Sequence, residues 1–286
     1  MISISRRGIE YILGSCFFFL ILLFISNGCK SDSGPTSVTN TYPTVAPNWR
    51  GSATLTSGTA YSLTAAIVQN LDKVSGNCFW TTAGGAQAVE QYDGTITTSG
   101  QITLRGIKFY NNPGSEWRLD TLNASISADG GTISGGFTSR VSGGASGTFV
   151  LAKQSATFPS VSPTWTGTAL QYRFLSANQS WYPWQFAQLT GNFVQAMDLL
   201  GGSLSFSDQT SGVKEYFTGS ITANRQIALK STSADVSLSW STNYGQWYTG
   251  SIYNGTMSSR GDTISCSWTD SRGGNTPPGN MYLFKQ

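Results

Sequence analysis

The stretch Asn123–Phe137, NASISADGGTISGGF, returns as Asn254–Trp268, NGTMSSRGDTISCSW. Each copy reads as a β-hairpin. Apolar residues alternate with Ser, Thr and Gly on either side of a turn, Asp129-Gly130 in the first and Arg260-Gly261 in the second. Period-2 alternation marks half-buried strands, and Gly-containing pairs between such runs mark tight turns.

Working outward, three more blocks repeat in the same order. Asn48-Trp49-Arg50-Gly51-Ser52-Ala53 matches Thr164-Trp165-Thr166-Gly167-Thr168-Ala169. Gly94-Thr95-Ile96-Thr97 and Gln101-Ile102-Thr103-Leu104 match Gly219-Ser220-Ile221-Thr222 and Gln226-Ile227-Ala228-Leu229. Gly147–Gln154 matches Gly279–Gln286. The offsets are 116 (165 − 49), 125 (219 − 94), 131 (254 − 123) and 132 (279 − 147). They rise monotonically, as insertions into a duplicated unit make them. A unit this long is a whole domain rather than a solenoid repeat.

The first half divides into eight short runs, near 49–56, 61–70, 73–82, 87–97, 101–109, 117–126, 131–138 and 147–153. The expected fold is therefore all-β: two tandem eight-stranded antiparallel up-and-down barrels, over residues 47–154 and 164–286, joined by a linker at 155–163. Closure removes the strand edges that otherwise invite aggregation. A pair of β-sandwiches is the alternative.

An early-strand Trp near a Gly, Gly-rich hairpins and a closing strand ending in Lys resemble the small avidin and lipocalin-like barrels. In lipocalins a first-strand Trp packs under a cation from the last strand. The resemblance implies that role for Trp49 with Lys153 and for Trp165 with Lys285, as a cation–π contact closing one barrel end. It implies no particular ligand.

The N-terminus reads as an address. Arg6 and Arg7 precede a nearly unbroken apolar run from Tyr11 to Ile25. Its 15 residues fall short of the ~20 that a spanning helix needs, and fit the h-region of a secretory signal. Gly28-Cys29 directly after it resembles the bacterial lipobox. That resemblance implies a signal helix over 1–28, acylation of Cys29, and membrane attachment through that Cys, most plausibly as an outer-membrane lipoprotein of the cell envelope. Residues 29–46 are rich in Ser, Thr, Pro and Gly and read as a flexible tether holding the globular body off the lipid.

Composition excludes several functions. The chain of 286 residues has no His, so a His-dependent triad or His metal site is impossible. A net charge of +3 is too weak to suggest nucleic-acid binding. Glycines are not followed by Lys-Ser/Thr, so there is no phosphate loop. No catalytic residues, metal or cofactor are expected. Arg260-Gly261-Asp262 aligns with Asp129-Gly130-Gly131 and is read as a turn. Cys78 shares a strand face with Trp80, and Cys266 with Trp268. Both faces look inward in separate barrels, which favours two buried free thiols over an interdomain bridge.

Aromatic residues carry the asymmetry. Ten lie in 47–154 and nineteen in 162–286, so the two halves differ in more than length. Trp181, Tyr182, Trp184, Trp240, Tyr244, Trp247 and Tyr248 form two clusters too dense for one strand face. They are the expected binding surface for a small hydrophobic or sugar-like ligand. The bland reading is a bulkier core plus an interface to the first barrel. Functionally, a non-enzymatic ligand-binding lipoprotein competes with an interaction lipoprotein (spacer, assembly factor or inhibitor) that docks on another envelope protein.

Overall fold

A computed structural model describes residues 41–114, 117–161, 163–175, 180–207, 212–236, 249–269 and 278–286. Thr41–Gln286 form one compact unit. The strands of its first half are β1 (Asn48–Leu55), β2 (Ala60–Asn70), β3 (Lys73–Thr82), β4 (Gln87–Ile96), β5 (Gln101–Asn111), β6 (Asp120–Ile126), β7 (Thr132–Ser139) and β8 (Ser146–Lys153). Those of the second are β9 (Thr164–Leu175), β10 (Ser180–Ala196), β11 (Leu199–Ser207), β12 (Gly212–Ile221), β13 (Gln226–Val236), β14 (Ile252–Met257), β15 (Thr263–Thr269) and β16 (Gly279–Lys285). Each set pairs antiparallel with its sequence neighbours and closes on itself, β8 against β1 and β16 against β9. The fold is two up-and-down barrels, not sandwiches, and no helix occurs among the described residues.

Alternation builds each barrel. On β5, Ile102, Leu104 and Gly106 point inward while Gln101, Thr103 and Arg105 are exposed. At each closing seam a glycine is obligatory. A Cβ on Gly51 would lie 1.9 Å from the Val150 carbonyl oxygen, and one on Gly167 would lie 1.8 Å from that of Tyr282. This is the Trp-x-Gly of both repeats. The register sets Lys153 opposite Trp49 and Lys285 opposite Trp165. Both tryptophans are fully buried, and both lysines are exposed.

The duplication extends through the segments read above as tether and linker. Val45 and Ala46 are buried in the first core, and Tyr42 packs against it. Val161 is buried in the second. One glutamine clamps each of these straps across a barrel end. Gln69 Oε1 accepts from the Val45 N–H at 2.7 Å, and its Nε2 donates to the carbonyls of Pro43 (3.0 Å) and Leu71 (2.9 Å). Gln195 repeats the pattern with Val161 (2.7 Å), Pro159 (2.9 Å) and Met197 (2.7 Å). Leu71 and Met197 both hold a left-handed φ, 56° and 58°, in equivalent hairpins. The ordered body therefore starts ahead of Pro47, and 155–163 is the strap of the second barrel as much as a connector. Extended Pro-containing sequence looks like a tether because its hydrogen bonds go to a distant side chain rather than to a neighbouring strand.

The barrels lie side by side. Phe79 and Val89, on the outer wall of the first, are fully buried against Val194 and Ala196 of the second. This explains the break in alternation at Cys78-Phe79-Trp80, where three consecutive residues are buried. A Cβ on Gly201 would approach Val89 Cγ2 to 2.8 Å, so the glycine lets the walls meet. Polar links flank the apolar contact. Thr232 Oγ1 donates to Asn111 Oδ1 at 2.6 Å, and Arg50 forms an ion pair with Asp198. The apolar cluster at this junction is built from small aliphatics with Phe79 and Tyr110 of the first barrel.

Candidate functional site

Superposing the strand registers aligns the two interiors position by position. The pair Trp80 and Phe137 in the first barrel becomes Phe206 and Trp268 in the second. The rings meet edge-on at 5.1 Å in the first and stack at 6.0 Å in the second. Large and small rings have exchanged strands while the layer keeps its content, as close packing demands.

A glutamate sits inside each barrel at equivalent positions on β4 and β12: Glu90, 1% exposed, and Glu215, 0% exposed. Each accepts a hydrogen bond from a buried tyrosine. In the first barrel the donor is Tyr92 on the same strand, which in turn accepts from Trp80 Nε1 at 3.3 Å. In the second it is Tyr253 on β14. Tyr92 is matched by Phe217, and Tyr253 by Leu122, so the tyrosine has moved between strands while the glutamate kept its partner type. A buried carboxylate without a donor is costly, which is why the pair travels together. Tyr253 also stacks on Trp268 at 5.4 Å, 10° from parallel.

The surroundings of the two acids differ. Glu90 Oε1 lies over Gly106 and accepts the Asp120 backbone N–H at 2.9 Å. Burial pushes the Glu90 carboxyl up to about 8 and the Asp120 carboxyl up to about 7. In the second barrel Ser231 stands where Gly106 stands, and Ser251 where Asp120 stands. Ser231 is 2% exposed and Ser251 0%, and neither hydroxyl has a hydrogen-bond partner. The two serines are cross-strand neighbours, joined by a 2.8 Å backbone hydrogen bond from Ser231 N–H to the Ser251 carbonyl. Burial and the Glu215 carboxylate hold the Tyr253 phenol well above its ordinary range. The result is a wall of carboxylate, phenol and two hydroxyls beside the buried Phe206, Phe217 and Trp268.

This polar wall lies toward the end of the barrel opposite the Trp165 strap, where β10, β12, β14 and β16 begin. Trp181, Tyr182 and Trp184 sit on the first residues of β10, paired with Phe174, Arg173 and Gln171 of β9. β10 has 17 residues against 11 in its counterpart β2, so the aromatic cluster occupies an extension that the first barrel lacks. The side chains of these three residues, and Trp240, Tyr244, Trp247 and Tyr248 altogether, lie outside the described residues. The serine–glutamate wall was not identified from the sequence. Its signal was available in the alignment of the halves, as Gly106 against Ser231 and Asp120 against Ser251.

Cys78 and Cys266 are free and buried. Burial raises both thiols, Cys266 to about 12, which makes them poor nucleophiles. They are not equivalent positions: Cys78 aligns with Leu204 and Cys266 with Gly135. Among the described residues no group of three or more His, Cys, Asp or Glu could hold a metal.

No protein-family model matches the chain, and no curated protein is significantly similar to it. A solved structure from Nostoc punctiforme, a DUF3598-family protein of unknown function, is similar over 84% of this chain and 96% of its own. The identity is 11% and the TM-score 0.25, a likeness that identifies neither family nor activity.

Proposed function

We propose that this chain is a non-enzymatic envelope lipoprotein, anchored through an acylated Cys29, whose second barrel takes a small ligand into its interior. The observation that carries the reading is the divergence of the duplicated interiors. The first barrel ties its buried acid to Trp80, Tyr92 and the Asp120 backbone, and, among the described residues, its one buried serine hydroxyl without a partner, Ser139, stands alone on β7. The second keeps two buried hydroxyls without partners. Buried polar groups in native interiors are nearly always satisfied, so two such groups on one wall are features of a site. An eight-stranded barrel either fills itself with side chains or holds one small ligand, and the two serine hydroxyls favour the second. The aromatic residues Trp181, Tyr182 and Trp184 at the start of β10, with Trp240, Tyr244, Trp247 and Tyr248, supply the apolar part of the reading.

Native mass spectrometry on protein from its own host's envelope fraction tests both halves of this proposal. The expected result is a chain beginning at an acylated Cys29, with an additional small mass that leaves on denaturation.

A second reading has its own support. Tyr282 and Phe284 alternate outward on β16 and are 49% and 52% exposed. Such a strip suits a protein partner, as expected of an interaction lipoprotein. A chain that carries no small mass but retains a specific envelope protein after crosslinking favours it.

A further inference from the structure

We infer that the second barrel recognises a neutral hydroxyl group on an otherwise apolar molecule, with Ser231 and Ser251 as the residues that bind it. This rests on the ligand-binding reading above and names the chemical class. Three observations lead to it. The Ser231 and Ser251 side chains are buried, unpartnered and side by side, on β13 and directly ahead of β14. A serine hydroxyl both donates and accepts, so two adjacent ones match a group that does the same. Glu215, on the neighbouring β12, already receives the Tyr253 hydroxyl, which leaves the two serines as the groups at this wall that are open to a ligand.

Among the described residues, apolar side chains stand nearby. Phe206, Phe217, Trp268 and Leu229 are each buried in the same core. Phe206 and Tyr253 both stack on Trp268, at 6.0 and 5.4 Å, so aromatic rings line this end of the interior. A molecule that fits has a planar or compact apolar body and one alcohol or phenol group. A charged head buried here would lose its hydration, which costs far more than burying a neutral hydroxyl.

The test uses two probes that differ only in the hydroxyl, 2-naphthol and naphthalene, titrated by intrinsic fluorescence. The protein is residues 29–286 with Cys29→Ser, which retains the entire compact unit from Thr41 to Gln286. One hydrogen-bonded hydroxyl gives a preference of about tenfold. The expected result is that 2-naphthol binds about tenfold more tightly than naphthalene. The double substitution S231A/S251A should bring the two affinities within about threefold, with naphthalene binding unchanged. Neither alanine removes a side-chain hydrogen bond, so the double variant should fold.

Equal binding of the two probes to the unaltered protein overturns the hydroxyl assignment, with water then the partner of both serines, and leaves a ligand-binding barrel standing. A tenfold preference that survives S231A/S251A also overturns it. Binding of neither probe overturns the assignment together with the ligand-binding reading.

Discussion

The Glu90 carboxylate lies so close over Gly106 that a Cβ on that glycine would sit 1.7 Å from Oε1. Gly106 is therefore the space in which the first barrel stores its buried acid. In the second barrel Ser231 occupies the matching place, and Glu215 turns to Tyr253 instead. The change from Gly106 to Ser231, with Asp120 to Ser251 and the exchanged tyrosine, separates the network around Glu90 from the one around Glu215.

Placing a side chain at Gly106 should displace the acid. Gly106→Ser should destabilise the chain by about 2–4 kcal/mol, through overpacking and a broken carboxylate–amide hydrogen bond. Urea unfolding measures it. A change below about 0.5 kcal/mol would mean that Glu90 moves without loss.

The opposite holds for the serines. In ligand-free protein, Ser231→Ala and Ser251→Ala should each raise stability by about 1 kcal/mol, because each removes a buried polar atom that has no partner. Thermal unfolding should shift upward by about 2–4 °C for each. A downward shift would show that the hydroxyls are hydrogen-bonded in solution.

Glu90 and Asp120 make stability depend on pH. Their folded carboxyls titrate at about 8 and about 7, against ~4 in an unfolded chain. Between these limits the folded protein binds more protons than the unfolded one, so stability falls as pH rises from about 4 to about 8. Glu90→Gln should remove about half of that slope and leave the part that belongs to Asp120. A profile that rises across this window in the unaltered protein contradicts the burial of these acids.

The straps should be worth several hydrogen bonds each. Gln195→Ala removes three at one barrel end, a loss of about 2–4 kcal/mol, and Gln69→Ala should behave alike at the other. Hydrogen exchange should rise at the Val161 amide in the first variant and at Val45 in the second. Unchanged protection would mean that the straps are held by apolar packing alone.

Phe79 belongs to the contact between barrels rather than to either core. Phe79→Ala should cost about 3–5 kcal/mol and should fall on the docking of the barrels. Calorimetry should then resolve two transitions where the unaltered protein gives a more cooperative one. A single transition at lower temperature would assign Phe79 to the first core instead.

Much of the architecture was legible because the chain states it twice. The repeated hairpin at 123–137 and 254–268, the Trp-x-Gly at 49–51 and 165–167, and period-2 alternation on runs such as β5 are local signals, and they carry the barrels directly. The straps were read as tether and linker because a Pro-broken extended segment has no period. Only the distant Gln69 and Gln195 reveal its hydrogen bonds. Phe79 and Val89 were illegible for a related reason: an outward apolar residue looks the same whether solvent or a second barrel lies beyond it. The aromatic excess drew attention to the second barrel, but the polar wall within it rests on ordinary serines. Their meaning appears only when Ser231 and Ser251 are set against Gly106 and Asp120 in the same fold.

The central claim is that the second barrel holds a small molecule, and native mass spectrometry of the chain purified from its own host's envelope tests it most directly. The account predicts a bound small mass that is lost on denaturation and is lowered in occupancy by S231A/S251A. A clean mass for the protein alone, unchanged by the double substitution, would contradict it and turn attention to the outward strip of Tyr282 and Phe284.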